Sequence, residues 1–129
     1  MKMKETTHYA VRVVVYLSLH KDSVATIHQI SEATHISAKY LAKIMHMLKS
    51  NQLVTAVRGC EGGYKINPNK SKISLYDVLQ SIEKDLDEEI KISKYFYPES
   101  KNKIEEINQV YASLQSDMIE RLKQFDLLA

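Results

Sequence analysis

The spacing of apolar residues changes several times along the chain, and each change marks an element. Tyr9 to Leu19 (YAVRVVVYLSL) is apolar enough to be buried on more than one face. Its β-branched run Val13-Val14-Val15 leaves a strand open, but the length of the segment favours a buried helix. After the polar turn Lys21-Asp22-Ser23, Thr26 stands where an N-cap is expected, and Ile27, Ile30 and Ala33 follow at helical spacing. A second turn, Thr34-His35-Ile36, leads to Ser37, a cap for a third helix. There Tyr40, Leu41, Ile44, Met45 and Leu48 form one apolar stripe, with Lys39, Lys43, His46 and Lys49 elsewhere on the surface. The period then shortens. Leu53-Val54-Thr55-Ala56-Val57 and Tyr64-Lys65-Ile66 read as two strands around Arg58-Gly59-Cys60-Glu61-Gly62-Gly63. All three glycines of the chain fall in that loop, which marks a tight hairpin. Past the turn Asn67 to Ser71, Leu75, Val78, Leu79 and Ile82 form the face of a fourth helix. Beyond a polar stretch, Ile104, Ile107, Tyr111, Leu114, Met118, Leu122 and Phe125 step by three or four residues along a last, long helix.

These elements predict a mainly α protein with a small β-hairpin. Two short helices, a tight turn and a basic amphipathic helix followed by a hairpin make a winged helix-turn-helix. The expected organisation is a winged-helix domain over 1–83, a linker over 84–103 and a dimerisation helix over 104–129. The last helix is too long for so small a domain to cover, so it should pack back on the first helix or pair with a second copy, giving a homodimer.

Length and composition narrow the function classes. A chain of 129 residues fits one domain. No apolar run approaches the roughly 20 residues of a membrane span, no signal-peptide pattern opens the sequence, and there is one cysteine. The cytoplasm is therefore the expected compartment. The net charge of +2 conceals an asymmetry. Residues 1–75 carry eleven Lys/Arg against four Asp/Glu, and residues 76–129 carry seven against twelve. All five histidines lie in the basic part. A basic half suits a polyanion such as double-stranded DNA, although surface charge also fluctuates along chains that bind nothing.

Particular residues carry the DNA reading. Lys39 and Lys43 stand four apart on one side of the third helix, placed to address phosphates or guanine edges together. Ser37 and Ala38 open that helix, where free N–H groups favour an anion. Ser37 suits a phosphate, and Ala38 can only pack, for instance on a thymine methyl. Tyr40 has two readings, a phosphate contact through its hydroxyl or packing on the stripe. Thr26 and His28 open the second helix within reach of a backbone. At the hairpin tip, Arg58 and Gly59 combine a cation with little bulk, which suits a minor groove. Cys60 is either a tolerated small residue or a redox switch, in which oxidation adds bulk and negative charge beside DNA. His8 and His46 read as surface or phosphate-facing groups rather than metal ligands, and Asp85 to Glu89 reads as a solvated linker. No catalytic constellation or phosphate loop appears, so no enzyme is expected. The alternative function is a winged-helix module for protein–protein contact alone, separable by salt-sensitive duplex binding.

Three segments resemble the Rrf-two family of bacterial winged-helix transcription regulators. They are Thr7-His8-Tyr9-Ala10-Val11-Arg12, Ile36-Ser37-Ala38-Lys39-Tyr40-Leu41 with Leu48, and above all Val57-Arg58-Gly59-Cys60-Glu61-Gly62-Gly63-Tyr64. The helix after the wing, Ile73-Ser74-Leu75-Tyr76-Asp77-Val78-Leu79, also matches. The resemblance covers about residues 4–83. It implies a DNA-binding homodimer, most simply a repressor on a palindromic operator. That family includes the iron–sulfur cluster regulator, the nitric-oxide-sensitive repressor and the cysteine-metabolism repressor. Its cluster-binding members carry three cysteines before the last helix, whereas Lys84 to Lys103 contains none. A cluster needs four thiolate or imidazole ligands, so neither a conventional cluster nor any other cofactor is expected. A small-molecule effector, a partner protein and oxidation of Cys60 stay open as signals.

Overall fold

The computed structural model describes residues 2–93 and 97–129; positions 94–96 of the expected linker lie outside the described residues. The elements are α1 (Glu5–Leu19), α2 (Ile27–Thr34), α3 (Ala38–Ser50), β1 (Val54–Val57), β2 (Gly63–Ile66), α4 (Leu75–Ile82) and α5 (Lys101–Gln124), the last preceded by a 3₁₀ turn at Pro98–Ser100. The segment Tyr9 to Leu19 is helical. Ala10, Val13, Val14 and Leu17 are buried along it, so packing decides against the strand that β-branching leaves open. Their counterparts are Ile30 of α2, Leu41, Ile44, Met45 and Leu48 of α3, Val54 and Ile66 of the hairpin, and Val78 and Ile82 of α4.

The caps follow the sequence. Thr26 Oγ1 accepts from Gln29 N, and the Gln29 side chain accepts from Thr26 N, a reciprocal capping box. Ser37 Oγ accepts from Tyr40 N. Ser74 and Asp77 repeat the box at α4. His35 takes the left-handed conformation (φ 59°) that ends α2.

β1 and β2 pair antiparallel with Val54 opposite Ile66 and Thr55 opposite Lys65. β2 begins at Gly63, one residue earlier than the alternation suggests. There Tyr64 also pairs with Ala25, and a Cβ on Gly63 would lie 2.3 Å from the Ala25 carbonyl oxygen. Only glycine lets the hairpin come this close to the segment before α2.

Two features depart from the pattern. First, α5 starts three residues earlier than Ile104 and stops at Gln124, so Phe125 lies beyond the helix. Asp126 Oδ1 accepts from Ile73 N and Leu128 N, and the backbone of Phe125 and Leu127 bonds to Leu75 and Ile73. The chain end thus returns to the start of α4, and Leu127 and Leu128 pack on the core. Helical periodicity cannot reveal that return, which depends on residues some 50 positions away. Second, the linker after α4 is anchored rather than merely solvated. Leu86 is buried. Asn108 exchanges two hydrogen bonds with the backbone of Ile92, while Gln115 donates to the carbonyls of Leu86 and Glu88.

Candidate nucleic-acid interface

The third helix is held by its apolar stripe, and this fixes what it offers to solvent. With Leu41, Ile44, Met45 and Leu48 buried, Lys39, Ala42, Lys43 and His46 project outward. At 13 residues α3 is about 20 Å long, and a major groove roughly 12 Å wide admits an α-helix across its diameter. Its first turn keeps free N–H groups except where Ser37 Oγ satisfies that of Tyr40.

Thr26, His28, Ser37, Ala38, Lys39, Tyr40, Lys43, Arg58 and Gly59 are all exposed. Among the described residues, none of Lys39, Lys43 and Arg58 forms an ion pair; His28 pairs with Glu32 of its own helix at 3.3 Å. With no carboxylate partner, the positive charge of these side chains stays available to an anion. Tyr40 differs from the others, because its hydroxyl lies 2.8 Å from Thr6 Oγ1. Arg58 and Cys60 sit in the hairpin loop, closed by a bond from Gly62 N to the Gly59 carbonyl. Gly59 has φ +111°, a backbone that side chains rarely adopt, and the space beside it is open.

The hairpin carries a further cation, Lys65. It stands opposite Thr55, and its neighbour Ile66 is buried, so Lys65 faces outward from the hairpin. The alternation of β2 carries that signal.

The last helix shows a second surface. No residue of α5 is fully buried. Ile104, Ile107, Tyr111, Met118 and Leu122 of the expected dimerisation stripe are half-buried, whereas Leu114 and Phe125 are exposed. Val110, absent from that stripe, is as open as Leu114: the two are 57% and 62% exposed. Both stand on one helix face with Lys103, Glu106, Asp117 and Arg121, every one of them exposed. Each member of this face follows the last by three or four residues, a spacing readable from sequence but interrupted by charge.

Where α1 meets the end of α4, Glu83 is buried and its carboxylate accepts from Lys4 N at 2.8 Å and Thr7 Oγ1 at 2.7 Å. The Lys4 amide bond holds the Glu83 carboxyl below the usual carboxylate range, helped by Thr7 and the charges of Lys4 and His8 and opposed by burial. Further on, Tyr76 donates to Asp87 at 2.5 Å. That bond, with lesser contributions from burial and the charges of Asp87 and Asp77, pushes the Tyr76 phenol up to about 12. The first contact ties the end of α4 to the start of α1, and the second ties α4 to the segment that follows it.

Known proteins resemble this chain in sequence and in fold. The family described as Rrf2, iron-dependent transcriptional regulator, matches residues 3–129. The HTH-type transcriptional regulator NsrR of Oceanobacillus iheyensis is 35% identical over 86 residues, covering 66% of this chain and 58% of that protein. Protein aau3 of Rhizobium meliloti is 34% identical over 83 residues, covering 64% of this chain and 54% of its own. The chain thus spans less than two thirds of the length of these relatives. Among solved structures, CymR of B. subtilis aligns with a TM-score of 0.79 at 17% identity, over 98% of this chain and 93% of its own. IscR of T. potens aligns with a TM-score of 0.72 at 22% identity, over 98% and 83%. At such identities the likeness is one of fold. The family description includes iron, but the donors here do not fit a cluster. The one thiol of the chain, Cys60, sits exposed in the hairpin loop. Among the described residues, no three His, Cys, Asp or Glu side chains converge on a point. The fold, the exposed basic helix and hairpin, and a match running from residue 3 to residue 129 agree: this chain belongs to the Rrf2 family of transcriptional regulators.

Proposed function

We propose that the protein is a homodimeric repressor that binds a palindromic operator. The observation that carries the reading is the exposure of Lys39 and Lys43 on α3 and of Arg58 in the hairpin loop, with no carboxylate partner for any of them among the described residues. In this reading α3 enters the major groove. Lys39 and Lys43 address phosphates or guanine edges, and Ser37 holds a phosphate at the helix start with Ala38 packed beside it. Thr26 and His28 meet the backbone, and Arg58, given close approach by Gly59, enters the adjacent minor groove. Ala42 offers no hydrogen bond on the exposed face, so readout of base edges is sparse. Occupancy of the operator blocks transcription.

The outward face of α5 supports pairing. Two copies crossed antiparallel near Ala112 set Val110 of one against Leu114 of the other. The same crossing sets Lys103 of one copy opposite Arg121 of the other, so the apolar pair and not the flanking charge favours the contact. The Val110–Leu114 contact then occurs twice, once on each side of the axis, as a two-fold interface requires. A fluorescence-anisotropy titration of duplex DNA against salt tests the reading: binding falls linearly in log–log form as phosphate contacts release counterions. Salt-insensitive binding, or none, refutes it.

A further inference from the structure

The third helix, α3, is tied to α1 through one line of side chains. Thr6, Tyr9 and Arg12 recur every three residues and lie along one flank of α1. Tyr40, in the first turn of α3, meets two of them. Its hydroxyl is 2.8 Å from Thr6 Oγ1, and its ring stands edge-on to Tyr9, with centroids 5.4 Å apart and planes at 87°. That is the attractive T-shaped arrangement of two aromatic rings. Arg12 Cζ lies 5.2 Å from the centroid of the Tyr9 ring, within cation–π range. The same guanidinium donates to the carbonyl of Thr34, the last residue of α2, where a cation also meets the negative end of the helix dipole. The line thus runs from the end of α2, across α1, to the start of α3.

The geometry points to Tyr40 as a positioning residue: through Thr6 and Tyr9 it sets the angle at which α3 enters the groove. This rests on the DNA-binding reading above. Only His35, Ile36 and Ser37 separate α2 from α3, so the angle between them needs support from α1. The support matters because α3 is a lever. A tilt of 10° on a helix of about 20 Å moves its far end by roughly 3 Å, more than separates a made hydrogen bond from a broken one. The hydroxyl of Tyr40 has a single proton. When that proton bonds Thr6 Oγ1, none is left for a phosphate oxygen, which only accepts.

The test uses the duplex that the protein selects from a random library, a scrambled duplex of equal length, and the variants Tyr40→Phe, Thr6→Val and their combination. Tyr40→Phe keeps the ring and its edge contact, and Thr6→Val keeps the shape; thermal melts confirm that each folds. Each single change should lower affinity for the selected duplex by roughly three- to tenfold, the worth of one net hydrogen bond. Affinity for the scrambled duplex should stay within about twofold, because a mis-set helix loses register while keeping its charge. The combined variant should be no worse than either single one, since all three break the same bond. Loss on both duplexes in Tyr40→Phe, with Thr6→Val like wild type, identifies a direct phosphate contact and overturns the inference. Unchanged affinity in all variants overturns it too. A wild-type protein that selects no duplex refutes the DNA-binding reading itself, an outcome distinct from both.

Discussion

Lys43 and Arg58 are exposed and do different work in the proposed complex. Arg58→Ala should cost about 1–3 kcal/mol of operator affinity with the fold intact, as loss of a groove contact does. Lys43→Ala should weaken binding and reduce the slope of log affinity against log salt by about 0.9, one phosphate contact. Both are read in one set of titrations, and unchanged affinity in both removes the docking geometry. Glu83 acts on stability instead. Its folded-state pKa is depressed below the ordinary 4.5, so its contribution is present above that value and is lost as pH falls through the folded-state one. Glu83→Ala strands Lys4 N and Thr7 Oγ1 and should cost about 1–3 kcal/mol near neutrality. In urea melts the gap between variant and wild type should narrow toward pH 3; a gap independent of pH contradicts the assignment. The exposed cations were legible from spacing alone, because lysines four apart on an amphipathic helix face one way. Glu83 was not, because its partners are 76 and 79 residues away.

At the scale of elements, local chemistry was the most legible. Thr26 and Ser37 cap α2 and α3 where the sequence places them, since a cap depends on residues only three apart. Alternation and glycine placed the hairpin, with strand ends differing by one residue. The linker was harder. Its acidic run reads as solvated, yet two amides of α5 take the place of a neighbouring strand by bonding its backbone at Ile92, Leu86 and Glu88. Asn108 and Gln115 stand seven apart on one face of α5, but nothing in their spacing names a backbone partner. Asn108→Ala should therefore release Ile92. With two net hydrogen bonds of about 1 kcal/mol each removed, its amide should exchange with solvent on the order of tenfold faster or more. Exchange at the wild-type rate would show that the linker is held by something else.

For the whole molecule, charge is unevenly divided along the chain. Residues 1–75 hold the surplus of cations together with α1, α2, α3 and the hairpin, while residues 76–129 contain α5 and the linker. Val110 and Leu114 are the most exposed large apolar side chains of α5, and the proposed dimer sets them against each other. Changing both to Glu should shift the protein to monomer in sedimentation at tens of micromolar. Operator affinity should then fall by on the order of 100-fold, as two half-sites cease to bind as one. The central claim is that this chain reads duplex DNA as a symmetric pair, and selection from a random duplex library tests it most directly. The expected result is an inverted repeat whose half-site centres are separated by whole helical turns, bound with a steep dependence on salt. Recovery of no enriched sequence, or of an asymmetric site filled by a single copy, would contradict the claim.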